Sequence, residues 1–432
     1  MSPKKKMKRD LRYYTFKDID LKFLIFLILI TQGNIPVKIF AVFFIMIFRL
    51  RPIFVGHQFI LFYYFILVYH IVYGLFLIAF KSINYWPNYL LSFLFWMVSY
   101  ITLSQIAFFV KNWTLVKIYK TIDFFFLVNI FVILIQLINS MFLFQTLNPY
   151  GVSNSAGDLI SSIYSNSSVN FVIMSFFSIM YLLRKKWFYG ILSVIFLLMT
   201  TYMSGVVLFL ASLVVGIYLF SSIKLKSKIF IAIGSFFLIF LFSQIAPSNI
   251  TYASRYLIRI WENGEDTPFK IKSFFQTFEY WTSSITSFIF GAGGGSFSSR
   301  IAFIASGDYV GWFPDSLTYA SDEFKKYHLN IWTYDFNNPW DNRNNTANQP
   351  FSFYNQIIGE YGLIGLLIFI LFYLGYFFRK WQMLSYSKFL LIALGGYFLL
   401  DYWFEYFSVI IIFELLVLVD VKERQNITSN EI

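Results

Sequence analysis

The chain of 432 residues has no cysteine, which excludes disulfide bonds, thiol catalysis and cysteine-ligated metal sites. Charge is scarce too. Only 13% of the residues are Asp, Glu, Lys or Arg, against 58% hydrophobic residues and a mean hydropathy of +0.64. Those proportions exclude a water-soluble globule of this length and indicate a polytopic membrane protein. Acids are fewer than bases, giving a net charge of +12. The bases fall in short clusters at the ends of apolar runs, so they read as topological signals and not as a nucleic-acid surface. No small-residue cleavage site follows the basic stretch Met1 to Arg12, so no cleavable signal peptide is expected. The 57 Phe and 31 Tyr read as bulk membrane-facing surface.

Apolar segments lie near 19–33, 35–48, 58–80, 87–110, 122–145, 169–183, 187–202, 205–222, 229–246, 353–378, 388–402 and 405–420. This predicts an all-α membrane protein with about 12 transmembrane helices, or 10 if the short first and last pairs are re-entrant or broken. Charge parity tests the order. With Lys4, Lys5, Lys6, Lys8 and Arg9 inside, the even connections carry Arg49 and Arg51, then Lys111, Lys117 and Lys120, then Arg184, Lys185 and Lys186. They continue with Lys224, Lys226 and Lys228, then Arg379 and Lys380, then Lys422 and Arg424. The odd connections, such as 145–168, are polar and nearly uncharged, which places both termini in the cytoplasm.

The same parity puts one long excursion on the outer face. The chain therefore divides into N-terminal spans at 1–246, a large outer loop at 247–350 and C-terminal spans at 351–432. Within the loop, Phe274, Phe278, Trp281, Ile285 and Phe288 recur at helical spacing among polar residues, which predicts an amphipathic helix on the membrane surface. It runs into Gly291, Ala292, Gly293, Gly294 and Gly295, a tight turn or a backbone cradle for an anion. No Walker lysine follows, which argues against a nucleotide loop. Arg255, Arg259 and Arg300 flank the run, suited either to gripping phosphate or to lying among lipid headgroups. Glu360, near the outer end of the tenth segment, is a costly acid at that depth. It is a functional candidate or an ion-pair partner for one of those arginines. Asp401 and Glu405 fit an external turn, and Glu414 lies deeper with no evident partner.

In order, these features are Ser254-Arg255 with Arg259, an amphipathic stretch, Phe290-Gly-Ala-Gly-Gly-Gly-Ser-Phe297, and Asn355 with Glu360-Tyr-Gly-Leu-Ile-Gly365 opening a span. The order resembles the O-antigen polymerase (Wzy) and O-antigen ligase superfamily across nearly the whole chain, with recognisable motifs confined to Arg255 to Gly365. Thr200-Thr-Tyr-Met-Ser204-Gly205 also looks like that family's Ser-Arg-Gly span start, without the arginine.

The resemblance implies a GT-C-type, metal-independent glycosyltransferase of the bacterial plasma (inner) membrane that needs no cofactor. Its substrates would be undecaprenyl-diphosphate-linked oligosaccharides, joined at the outer face into O-antigen of lipopolysaccharide, capsule or exopolysaccharide. Membrane lipids surround such a protein, and a chain-length regulator and a flippase are its candidate partners. By correspondence, Arg255 and Arg259, then Arg300, would bind diphosphate. Gly291, Gly293, Gly294, Gly295 and Asn355 would line the site. The acceptor base falls to Glu360 or His328. The ligase branch carries His-Asn where this chain has Tyr354-Asn355, which favours the polymerase. No acid occurs in Thr31 to Pro36, against the metal-dependent branch. Trp261, Trp281, Trp312, Trp332 and Trp340 would stack on sugars or anchor the interface. The alternatives are a ligase-type transferase and a repeat-unit flippase, the latter having no need of a large outer loop.

Overall fold

The computed structural model describes residues 19–34, 37–38, 40–42, 58–145, 149–151, 159–220, 267–333 and 348–431, with isolated residues between 229 and 259. Every regular element among them is helical. Among the described residues, five helices are long and apolar enough to cross a bilayer: Ile60–Phe80, Ile83–Asn112, Leu115–Phe144, Met203–Phe220 and Phe353–Arg379. Shorter apolar helices stand beside them at Leu21–Thr31, Ser167–Leu183, Trp187–Met199 and Ser387–Tyr397.

In chain order the elements are α1 (Leu21–Thr31) and α2 (Gln58–Tyr69), which passes through a wide π turn at His70–Gly74 into α3 (Leu75–Phe80). Next come α4 (Trp86–Asn112), α5 (Leu115–Phe144), α6 (Ser167–Leu183), α7 (Trp187–Met199) and α8 (Met203–Phe220). The loop contributes α9 (Phe269–Thr282), α10 (Ile285–Phe290), α11 (Arg300–Ala305) and α12 (Asp322–Tyr327). The chain closes with α13 (Phe353–Ile368), α14 (Gly375–Arg379), α15 (Ser387–Tyr397) and α16 (Phe407–Glu431).

Local chemistry sets several starts. Asp20 caps α1 by accepting from the Phe23 N–H at 3.0 Å, Asn166 caps α6 from Val169, and Pro87 sits in the first turn of α4, where a missing N–H costs nothing. α16 is the hub. Its side chains from Ser408 to Val421 are buried, and it packs against α1, α4, α5, α6 and α15. A helix enclosed on all sides is apolar all round. Its buried Glu414 accepts from the Tyr63 hydroxyl at 2.5 Å, the partner that sequence did not supply.

The two ends of the bundle differ. One gathers Lys117, Lys120, Arg184, Lys186, Lys422 and Arg424, with Lys117 bound to Asp20, Arg184 to Glu423 and Lys186 to Asp123. At the other, α9 to α12 sit over the start of α4 and α13 and against the turn 398–406. Segment 122–145 begins earlier than its apolar run, at Leu115, because the Thr114 hydroxyl caps the helix there. Segment 187–202 ends at Met199, before the left-handed Thr201. Most of segments 229–246 and 35–48 lies outside the described residues.

The amphipathic loop helix is two helices, divided at Ser284, whose hydroxyl caps α10 in a reciprocal box with Ser287. Its packed face is also not the apolar one. Lys270, Ser273, Thr277 and Tyr280 are buried, while Phe275, Phe278, Ile285, Phe288 and Phe290 are exposed. That exposed apolar side is available to a bilayer surface.

Candidate functional site

The glycine run folds around a carboxylate of the chain itself. After α10, Gly291, Gly293 and Gly295 take positive φ of 70°, 100° and 77°, a region that excludes most side chains. Gly362 (φ 58°) breaks α13 directly opposite, and a Cβ there would lie 2.7 Å from the Gly291 nitrogen. The freed carbonyls of Gly359 and Glu360 accept from Ala292 N–H at 2.8 Å and Gly293 N–H at 3.0 Å. The Glu360 carboxylate then accepts from Gly295 N–H (2.9 Å), Phe297 N–H (3.0 Å) and the Ser299 hydroxyl (2.6 Å). Successive N–H groups of a turn make a concavity for an anion, and here Glu360 fills it. Glu360 is fully buried and bonds the loop, with no ion pair to an arginine among the described residues. Its geometry is that of a fastening, not of an acceptor base open to substrate.

His328 is likewise enclosed. Its Nε2 lies 3.1 Å from the Thr277 hydroxyl, its ring meets Phe297 edge-on, and burial with the nearby Lys270 charge lowers its pKa to about 3. It is a neutral packing residue at ordinary pH. Asn355 donates to the Ser273 hydroxyl at 2.9 Å and so joins α13 to α9. Arg255 and Arg259 are helical and exposed. Trp281 stacks on Phe288, Trp312 is exposed, and Trp261 and Trp340 lie outside the described residues.

Arg300 stands apart from the other two arginines. As the first residue of α11 it donates its N–H to Glu405 at 2.6 Å, and its guanidinium lies 4.8 Å above the Tyr406 ring. Its Nε is buried without a hydrogen-bond partner. The Lys38 ammonium, buried 5.4 Å above the Phe407 ring, is near enough to Arg300 to feel its repulsion. Lys270 completes the group, donating to the carbonyls of Phe351 and, at 2.7 Å, Leu400. Burial lowers the Lys270 pKa, with Asp401 opposing the shift. Burial also raises the carboxyls of Asp401 and Glu405 above their ordinary range, the Asp401 shift being opposed by Lys270. Glu405 further accepts from Gln356 at 2.8 Å, and Asp401 from the Tyr402 N–H at 2.8 Å.

Arg300 and Lys270 therefore lie near two buried carboxyls where the loop meets the turn 398–406, with Lys38 close to Arg300 and none of the three in salt-bridge contact among the described residues. Sequence reasoning chose Arg300 but missed Lys38 and Lys270. The available signal for Lys38 was a lysine inside an apolar segment, which is rare without a task. For Lys270 it was the polar stripe continuing through Ser273 and Thr277. Such an array can hold an anion against Arg300 and Lys38 and can exchange a proton through a carboxyl poised by burial. No family model matches the chain, and no curated protein or solved structure matches it either.

Proposed function

We propose that this chain is a metal-independent membrane glycosyltransferase, a polymerase that joins lipid-diphosphate-linked oligosaccharide repeat units at the outer membrane face. The observation that carries this reading is the buried pair Lys38 and Arg300, near enough for Arg300 to disfavour charge on Lys38, with no carboxylate in salt-bridge range of either among the described residues. Desolvating two cations together is unfavourable unless an anion arrives to offset it. A lipid diphosphate is such an anion, and as a leaving group it needs positive charge where negative charge develops.

In the reaction a hydroxyl oxygen of the acceptor sugar attacks the anomeric carbon of the donor. The bond from that carbon to the diphosphate oxygen breaks, and the electron pair leaves with the lipid diphosphate against Arg300 and Lys38. The hydroxyl proton passes to a carboxylate, for which Asp401 is the candidate, held by the Tyr402 N–H with a pKa raised by burial. Arg300 takes the leading place that motif order gives to Arg255 and Arg259, which are exposed. In cells lacking the native copy, Arg300→Ala or Lys38→Ala leaves single-repeat material and no ladder of longer glycans. A normal ladder from Arg300→Ala overturns the reading.

A further inference from the structure

A cavity of about 190 Å³ opens beside the glycine run, between Lys81 after α3, the α9–α10 turn and α12, with Lys38, Lys270 and Arg300 outside its lining. Hydroxyl-bearing residues line it, Tyr280, Ser283, Ser284, Thr286, Ser287 and Tyr327, together with Lys81 and Glu323. Lys81 and Glu323 make no ion pair with each other, so the cavity offers one cationic donor, one anionic acceptor and several hydroxyls that both donate and accept. A ligand that satisfies such a wall carries many hydroxyls of its own. The volume is below the roughly 300 Å³ at which pockets for drug-sized ligands begin. It suits one pyranose ring.

Position narrows the ligand further. Lys81 is a cation in a short connection at the loop end, where charge parity otherwise leaves connections nearly uncharged. The exposed apolar side chains Phe278, Ile285 and Phe288 lie on the same two helices as the hydroxyl wall, so a sugar seated there sits beside a surface suited to lipid. Gly291 lines the cavity, and the chain runs from it around Glu360 to Arg300, joining this cavity to the cations.

We propose that the cavity bounded by Lys81, Tyr280, Thr286, Glu323 and Tyr327 seats a single sugar residue of the lipid-linked oligosaccharide. The assignment of the sugar to a lipid-linked chain rests on the function proposed above, whereas recognition of a pyranose rests on the cavity alone. The test uses the purified full-length protein in detergent and the methyl glycosides of glucose, galactose, N-acetylglucosamine, N-acetylgalactosamine and glucuronic acid as probes. Saturation-transfer NMR reads binding. At least one glycoside receives magnetisation from the protein, and its affinity falls on the order of tenfold in Glu323→Gln or Lys81→Met, as expected for losing a charged hydrogen bond. Thr286→Trp, a substitution at an exposed rim position, abolishes the transfer by filling the space, with an unchanged melting temperature as the folding control. Absence of transfer to all five probes, or transfer untouched by the three substitutions, overturns the proposal. Arg300→Ala retains glycoside transfer while losing long glycans, so failure of the cavity and failure of the polymerase reading give different results.

Discussion

The bundle holds its cations in two different ways. At the basic end Lys117, Arg184 and Lys186 lie 2.8, 3.2 and 2.6 Å from Asp20, Glu423 and Asp123. Each has its own carboxylate and some access to solvent. At the loop end Lys38, Lys270 and Arg300 are held by aromatic faces and backbone carbonyls, deeper in the protein, with their carboxylates beyond salt-bridge range. Paired and partly solvated charges are explained by topology and anchoring. Unpaired buried charges are unfavourable for the fold by themselves, and the proposed function gives them an anion to bind.

This contrast is open to test, beginning with the residue on which the loop end depends most. Glu360→Gln replaces one carboxylate oxygen with a donor facing other donors, Gly295 N–H, Phe297 N–H or the Ser299 hydroxyl. It should lower unfolding stability by about 3 kcal/mol, seen as a large fall in melting temperature. Gly294→Ala comes next, since its Cβ would lie 2.1 Å from His70 Nε2. The expected loss is roughly 1–3 kcal/mol of overpacking in the same melt, partly relieved in Gly294→Ala with His70→Ala. Arg300→Met separates the two ends most sharply. Long glycans disappear while stability stays within about 1 kcal/mol, because no buried ion pair is broken. A strongly destabilised Arg300→Met with a shortened but intact ladder would instead make Arg300 a structural residue.

Acid sensitivity supplies a further test. The folded-state pKa of His328 lies near 3, below its ordinary 6.5, so the unfolded chain binds more protons in that window. The stability contribution is fully present above pH 6.5 and is lost as pH falls through about 3. His328→Gln should flatten the decline of melting temperature between those limits. The smallest effect belongs to the basic end, where Arg184→Ala or Glu423→Gln should cost at most about 1 kcal/mol and leave glycan length unchanged.

The spans were legible because bilayer burial writes its requirement into consecutive residues, and the helices near 58–80, 87–110 and 353–378 fall where the apolar runs place them. Loop secondary structure was half legible. Period gave helix, but only the Ser284 and Ser287 box explains the break, and period could not reveal that the packed face of α9 is its polar stripe. The candidate site was least legible. Arg300, Lys38, Lys270 and Asp401 come from four distant stretches of chain, and only tertiary packing brings them together. Glu360 was visible as an anomaly in a span and the glycine run as a cradle for an anion, yet nothing in side-chain identity showed that two N–H groups of that stretch and the Ser299 hydroxyl close on this carboxylate.

The fastening of the loop to Glu360 also orders events in time. Residues 269–333 are synthesised before α13, and so before Glu360 and the Gly359 carbonyl that receive their N–H groups. On a nascent chain the loop therefore waits for its anchor and can close only after α13 has been made and has packed against it. A chain truncated before Phe353 should leave residues 269–333 more open to protease than the same residues in the full-length chain, where α13 is present. The segment from Phe353 onward thus supplies the acceptors that hold residues 292–299 in place.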